Sequence, residues 1–156
     1  MPAFIRNLLE TLLALTAKLD WLAPLTVRLL FGYFWAETGW GKLHNLDGAL
    51  ERFIDWGIPF PAFSSAFSAG AEFTGGVLLM AGLFTRFTAI ALLINMVVAI
   101  GFVAIKNVHD FDDFVELDEF TYILVFFWLA MAGPGKVALD TWLARALGIG
   151  VPENPG

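Results

Sequence analysis

Two glutamates occupy places where a carboxylate needs a reason. Glu72 stands in AEFTGGVLLMAGL (71–83) and Glu37 in FGYFWAETGWGKL (31–43), runs that are otherwise mostly small, aromatic or aliphatic. A buried charge is costly unless it is paired and hydrogen-bonded. An acid held in that way can take up or release a proton, or bond to a polar atom of a ligand. Glu37 and Glu72 are therefore the candidate catalytic residues. Lys42 lies five residues beyond Glu37 and can tune the charge of either acid. Asn95, Tyr122 and Trp40 complete the candidate binding set: an amide, a phenol and an indole in apolar surroundings. The competing reading is structural. In it Glu72 pairs with Lys42 and pins two helices, Asn95 adds one interhelical hydrogen bond, and the aromatics pack.

Helical spacing relates these residues to one another. At ~1.5 Å rise per residue, Glu72 is about 21 Å along a helix from Arg86. Ser65, Ser68, Ala69, Glu72, Gly75, Gly76 and Leu79 then share one face by the i±3/i±4 rule. That face is small and polar, which suits close approach by neighbouring helices. Glu37 shares a face with Leu30, Tyr33, Trp40 and Gly41. Antiparallel packing of the two segments is expected to bring both acids into the same half of a bundle, with Lys42 at its edge.

The chain that must hold these residues has 156 of them, 58% hydrophobic and 15% charged. A soluble domain is nearer half apolar and a quarter charged. The apolar excess gathers into four runs, 21–43, 64–84, 87–105 and 117–133, each near the ~20 residues that cross a bilayer core. Ahead of them, Phe4, Ile5, Leu8, Leu9, Leu12, Leu13 and Leu19 form an apolar stripe opposite Arg6, Asn7, Glu10, Thr11 and Lys18. That pattern suits a helix lying in the membrane interface. A cleaved signal peptide fits less well, because Glu10 breaks the apolar core and no A-x-A site follows. The expected fold is all-α: an integral membrane four-helix bundle with an N-terminal amphipathic interfacial helix. It divides into the helix at 1–20, the membrane domain at 21–141 and a tail at 142–156.

Charge sets the expected orientation. Six basic residues (Arg6, Lys18, Arg28, Arg86, Lys136, Arg145) fall on the side of the termini and three (Lys42, Arg52, Lys106) on the other. The positive-inside rule then places both termini in the cytoplasm, as in a bacterial inner membrane. Nine of the fifteen acids lie in or beside the two outer loops, a distribution that excludes nucleic-acid binding. In the first loop Asp47 is the expected N-cap of a short helix stopped by Gly57. The second, NVHDFDDFVELDE, lacks the spacing of a calcium loop and reads as solvated, so no metal is expected. The absence of cysteine removes disulfides, CxxC exchange and thiolate metal sites. Redox work by this chain would need a bound cofactor or a partner.

Three local patterns resemble the DoxX family of small four-helix membrane proteins. They are Arg28-Leu-Leu-x-Gly32 with Gly39-x-x-Lys42-Leu43, then Ala71-Glu72-x-x-Gly75-Gly76 with Gly82-Leu83-x-Thr85-Arg86, and last Gly133-Pro134-Gly135-Lys136-x-x-Leu139-Asp140. Together they cover about residues 22–141. Gly-Pro-Gly ends a helix abruptly, and Asp140 beyond it is the expected structural partner of Arg28. The resemblance implies association with membrane redox systems: a small subunit of a thiosulfate:quinone oxidoreductase, a component of an oxidant-resistance complex, proteins linked to quinone or catechol stress. The expected function is a subunit or accessory protein of such a system, active as an enzyme only in that setting. Quinone is the expected ligand of the buried carboxylates. A soluble or membrane redox protein is the expected partner, and Gly32-x-x-x-Ala36 and Ala71-x-x-x-Gly75 allow a homo-oligomer. The alternative is a non-enzymatic membrane scaffold or a small-solute carrier.

Overall fold

The computed structural model describes residues 3–149. Its helices are α1 (Ala3–Leu19), α2 (Leu22–His44), α3 (Leu46–Trp56), α4 (Pro61–Ala81), α5 (Thr85–Phe102), α6 (Phe111–Glu116), α7 (Asp118–Ala132) and α8 (Leu139–Ala146), with a 3-10 turn at Ala104–Asn107. Helices α2, α4, α5 and α7 pack together, α2 on α4 and α5 on both α4 and α7, and the fold is all-α among the described residues, as expected. By length and composition, one described helix, Thr85–Phe102, is long and apolar enough to cross a membrane. The other three are diluted or short. Arg28, Glu37 and Lys42 interrupt α2, the Ser/Gly/Ala run lowers the hydropathy of α4, and α7 has 15 residues.

Backbone contact between α2 and α4 is the tightest packing in the molecule. A Cβ placed on Gly39 would fall on the backbone of Phe73, and one on Gly76 on the backbone of Ala36. Glycine is required at both positions because the two backbones touch there. α7 meets α2 differently, through rings: Tyr122 lies 6.0 Å from Phe31, 5.6 Å from Phe34 and 5.4 Å from Trp35 between centroids. Trp35, Leu79, Ala89, Leu92, Met96, Phe126, Leu129 and Ala130 fill the centre.

At one end of the bundle, three charged side chains satisfy orphaned backbone groups at the helix ends, which otherwise need water or a cap. Arg28, 2% exposed, donates from Nε to Leu79 O at 3.1 Å, from Nη1 to Pro134 O and from Nη2 to Val137 O at 2.9 Å. It thereby joins the end of α4 to the Gly-Pro-Gly loop. Arg86 donates to Ala130 O and Met131 O at 2.7 and 2.8 Å, closing the end of α7. Asp140 accepts from Phe84 N and Thr85 N at 2.8 and 2.9 Å, capping α5 across the loop. The expected Arg28–Asp140 pair is not formed as a direct contact. The two residues flank the α4–α5 turn, Asp140 donating its own N–H to Gly82 O, because a guanidinium matches carbonyls and a carboxylate matches N–H groups.

Removing a cap costs roughly 0.5–2 kcal/mol, and Asp140 supplies two cap bonds to one helix. Asp140→Ala is expected to lower the melting midpoint in detergent by about 4 °C or more. An unchanged midpoint would mean that water serves α5 equally well.

Several boundaries move from their sequence-based positions. α5 begins at Thr85, inside the expected Thr85–Arg86 turn, because the chain reverses earlier through Gly82 (φ 67°) and Phe84 (φ 50°). The N-cap of α3 is Asn45, whose side chain accepts from Gly48 N at 3.1 Å, and Asp47 falls in the first turn. Gly57 ends α3 at φ 76°, as read from the sequence. α8 runs across the 141/142 boundary, with Thr141 buried, so the tail begins as an ordered helix. Residues 150–156 of that tail, and 1–2 of the N-terminal segment, lie outside the described residues. α1 has no buried residue, and an ion pair of Lys136 with Asp20 at 2.8 Å ties its junction with α2 to the Gly-Pro-Gly loop.

Candidate functional site

The seven buried residues of α4 are Ser65, Ser68, Ala69, Glu72, Gly75, Gly76 and Leu79, the strip expected from helical spacing. Glu72 is 1% exposed. Two neighbouring helices reach it because glycines let them close in. Gly39 brings the backbone of α2 against Ala69 and Phe73, so Lys42 in the last turn of α2 can extend to the acid. Gly75 meets the side chain of Leu92, and Asn95 follows on α5 by three residues.

The resulting network is asymmetric. Glu72 Oε1 receives Lys42 Nζ at 2.6 Å and Asn95 Nδ2 at 3.0 Å, with Ser68 Oγ at 3.1 Å. Ser68 Oγ is also 3.0 Å from Asn95 Oδ1. A serine has one hydroxyl proton, so Ser68 donates to the glutamate or to the amide at any moment. Glu72 Oε2, by contrast, is buried with no hydrogen-bond partner. A carboxylate oxygen has lone pairs that burial without a donor leaves unsatisfied at a cost of roughly 1–3 kcal/mol, more when charged. One oxygen of this acid has three polar partners; the other, also buried, has none among the described residues.

The Lys42 end of the network is the less buried. The Lys42 side chain is 21% exposed against 1% for Glu72. α3 packs on α4 at that end, with Ala49 and Phe53 buried beneath it and Lys106 Nζ bonded to Trp56 O at 3.1 Å. In the other direction the strip continues into the apolar cluster of Leu79, Leu92, Phe126 and Leu129. Among the described residues of that cluster, the Trp35 indole N–H is buried without a partner.

Of the residues singled out from the sequence, Glu72, Lys42 and Asn95 are brought together. Glu37 is not. It is exposed on the side of α2 opposite the buried residues Gly32, Trp35, Ala36 and Gly39, and no hydrogen bond or ion pair of the Glu72 network includes it. Its expected convergence with Glu72 fails because a residue two places from Gly39 turns away from α4 when Gly39 faces it. Trp40, 53% exposed, lies outside too, 5.3 Å from the Phe73 ring and 4.0 Å from that of His44. Tyr122 packs in the seam between α2 and α7, away from the network. Ser68 is the member that received no role from the sequence. Its signal was present, since it precedes Glu72 by four residues on the same helix face.

Comparison with known proteins places this architecture. The DoxX family model matches residues 23–105. A Bacillus subtilis (strain 168) protein named "Putative oxidoreductase CatD" is 28% identical over 126 residues, which is 80% of this chain and 89% of that protein. A Mycobacterium tuberculosis (strain ATCC 25618 / H37Rv) protein named "Uncharacterized membrane protein Rv3486" is 30% identical over 134 residues, 76% of this chain and 80% of that one. No solved structure matches significantly. The matched region contains Arg28, Lys42, Glu72, Arg86 and Asn95 together, and the chain belongs to the DoxX family.

Proposed function

We propose that this chain is a membrane subunit or accessory protein of a quinone-linked redox or oxidative-stress system, with Glu72 as its ligand-contacting and proton-handling residue. The observation that carries the reading is the buried carboxylate with three hydrogen-bond partners on one oxygen and, among the described residues, none on the other. A quinone-type head needs polar partners in an apolar setting, and its redox chemistry moves protons. Lys42, Ser68 and Asn95 position the acid and tune its charge. The names of the two relatives, "Putative oxidoreductase CatD" and "Uncharacterized membrane protein Rv3486", support the setting.

On this reading α2, α4, α5 and α7 all cross the bilayer, as an inner-membrane bundle with both termini in the cytoplasm and Lys42 near the outer face. Exposed apolar side chains such as Leu30, Phe67, Phe87, Ile94 and Phe127 then face lipid. α1 lies along the interface, its leucines in the acyl boundary. Glu37, with Tyr33 and Trp40 on the same exposed surface, belongs to contact with a partner or ligand from outside the bundle.

The scaffold reading draws on the same network, since Lys42 and Asn95 join three helices through Glu72. Bound quinone separates the two. Protein purified gently from its native membrane is expected to retain quinone in its oxidised or reduced form, and folded Glu72→Gln protein is expected to lose most of it. Quinone absent from both, with Glu72→Gln melting at lower temperature, would establish the network as a helix fastener.

A further inference from the structure

The hydrogen-bond polarity of the Glu72 network bears on which redox form of a ligand it accepts. Oε1 is engaged by Lys42, Asn95 and Ser68, whereas Oε2 has no partner although the side chain is 1% exposed. An ionised carboxylate offers acceptors only, and an ammonium offers three donors. Lys42, at 2.6 Å, commits one donor to Oε1; among the described residues that is the hydrogen bond its ammonium makes, and two donors remain. The unfilled capacity is therefore one acceptor on Glu72 and donors on Lys42. A hydroxyl group complements both, giving its proton to Oε2 and its lone pairs to Nζ. A carbonyl oxygen complements Lys42 alone and leaves Oε2 facing another acceptor.

We infer that the Glu72 site takes the reduced, hydroxyl-bearing form of an aromatic redox ligand, a quinol or related phenol, in preference to the oxidised quinone. The inference rests on the quinone-linked reading above and adds the redox state and the atom of recognition. The ligand enters at the Lys42 end, where the site reaches the surface. Oε2 accepts its O–H, and binding involves no covalent or electron-transfer step. Selectivity of this kind exceeds what apolar packing gives, because the wrong form, once bound, leaves a buried acceptor of the site unpaired.

The test compares three probes on the full-length protein in detergent, without oxygen: a short-chain benzoquinol, the corresponding quinone, and the dimethyl ether of the quinol. The ether keeps the ring and removes both O–H donors. Wild-type protein is expected to bind the quinol about ten- to a hundredfold more tightly than either of the others, the worth of one hydrogen bond to a charged acceptor. In Glu72→Gln, checked for folding by size-exclusion profile and melting, the side-chain amide supplies a donor and the preference is expected to vanish or reverse. Quinone binding as tight as quinol, or ether as tight as quinol, would overturn the inference while leaving a quinone-linked site standing. Failure of all three probes to bind would remove the quinone-linked reading itself, and this inference with it.

Discussion

Lys42→Met is expected to destabilise the bundle by about 3 kcal/mol or more, because it leaves a buried carboxylate without its cation. The side chain it removes is itself 21% exposed, whereas Glu72 is 1% exposed, so most of the cost is the stranded acid and little of it is lost surface charge. Adding Glu72→Gln to the same protein is expected to restore most of the loss. The glutamine keeps an acceptor for Asn95 and Ser68 and carries no charge to desolvate. Melting midpoints of the two single variants and the double variant form the cycle that measures this coupling. A double variant no more stable than Lys42→Met would show that lysine holds α2 to α4 by packing of its methylenes, with the charge secondary. At roughly 2–4 °C per kcal/mol for a chain of this size, the single variant should melt about 6–12 °C lower.

The second large effect is expected at the glycines that allow this pairing. Gly76→Val places side-chain carbons where the backbone of Ala36 and the carbonyl of Gly32 already stand, and Gly39→Val does the same against Phe73. Neither partner can rotate away, since both are main chain in the middle of long helices. Overpacking of an ordinary core costs about 1–3 kcal/mol; with backbone as the obstacle, α2 and α4 must separate along their length. Little folded protein is expected from either variant. Gly101→Ala is the matched control, because a Cβ there meets nothing within 4 Å and alanine favours the helix by up to about 1 kcal/mol. Yield of monodisperse protein after detergent extraction distinguishes them, and normal yield for Gly76→Val would contradict the contact.

These outcomes also bear on the functional residues, because Lys42 reaches Glu72 only while Gly39 keeps the two helices in contact. A partial effect at Gly39, for instance in Gly39→Ala, is expected to weaken quinol binding as well as stability. The clamp at the Arg28 end is separate from this. It is built from backbone carbonyls and N–H groups, so Asp140→Ala should lower stability with little change in ligand affinity.

How much of this was legible in the chain differs from helix to helix. In α4 the small and polar residues recur at helical spacing, so the buried strip from Ser65 to Leu79 could be read whole, with Glu72 at its centre. The order of the helices, the Gly-Pro-Gly stop and the glycine end of α3 followed equally from local rules, since a helix repeats every 3.6 residues and a left-handed turn favours glycine. α2 carried no such signal. Its apolar and aromatic residues surround the axis, so periodicity offers no way to choose a buried face, and the expected approach of Glu37 to Glu72 does not occur. Only the packing of Gly39 on Phe73 and of Gly76 on Ala36 decided which residues of α2 face inward. The same holds for Arg28 and Asp140. Sequence identified two charges at one end that needed partners, while their partners turned out to be helix-end backbone groups, whose positions exist only once α4, α5 and the Gly-Pro-Gly loop are assembled. Local periodicity and turn chemistry are properties of a few neighbouring residues and can be read from the chain. Rotation of one helix against another depends on contacts between residues 30 to 100 positions apart, and those are settled only by the fold.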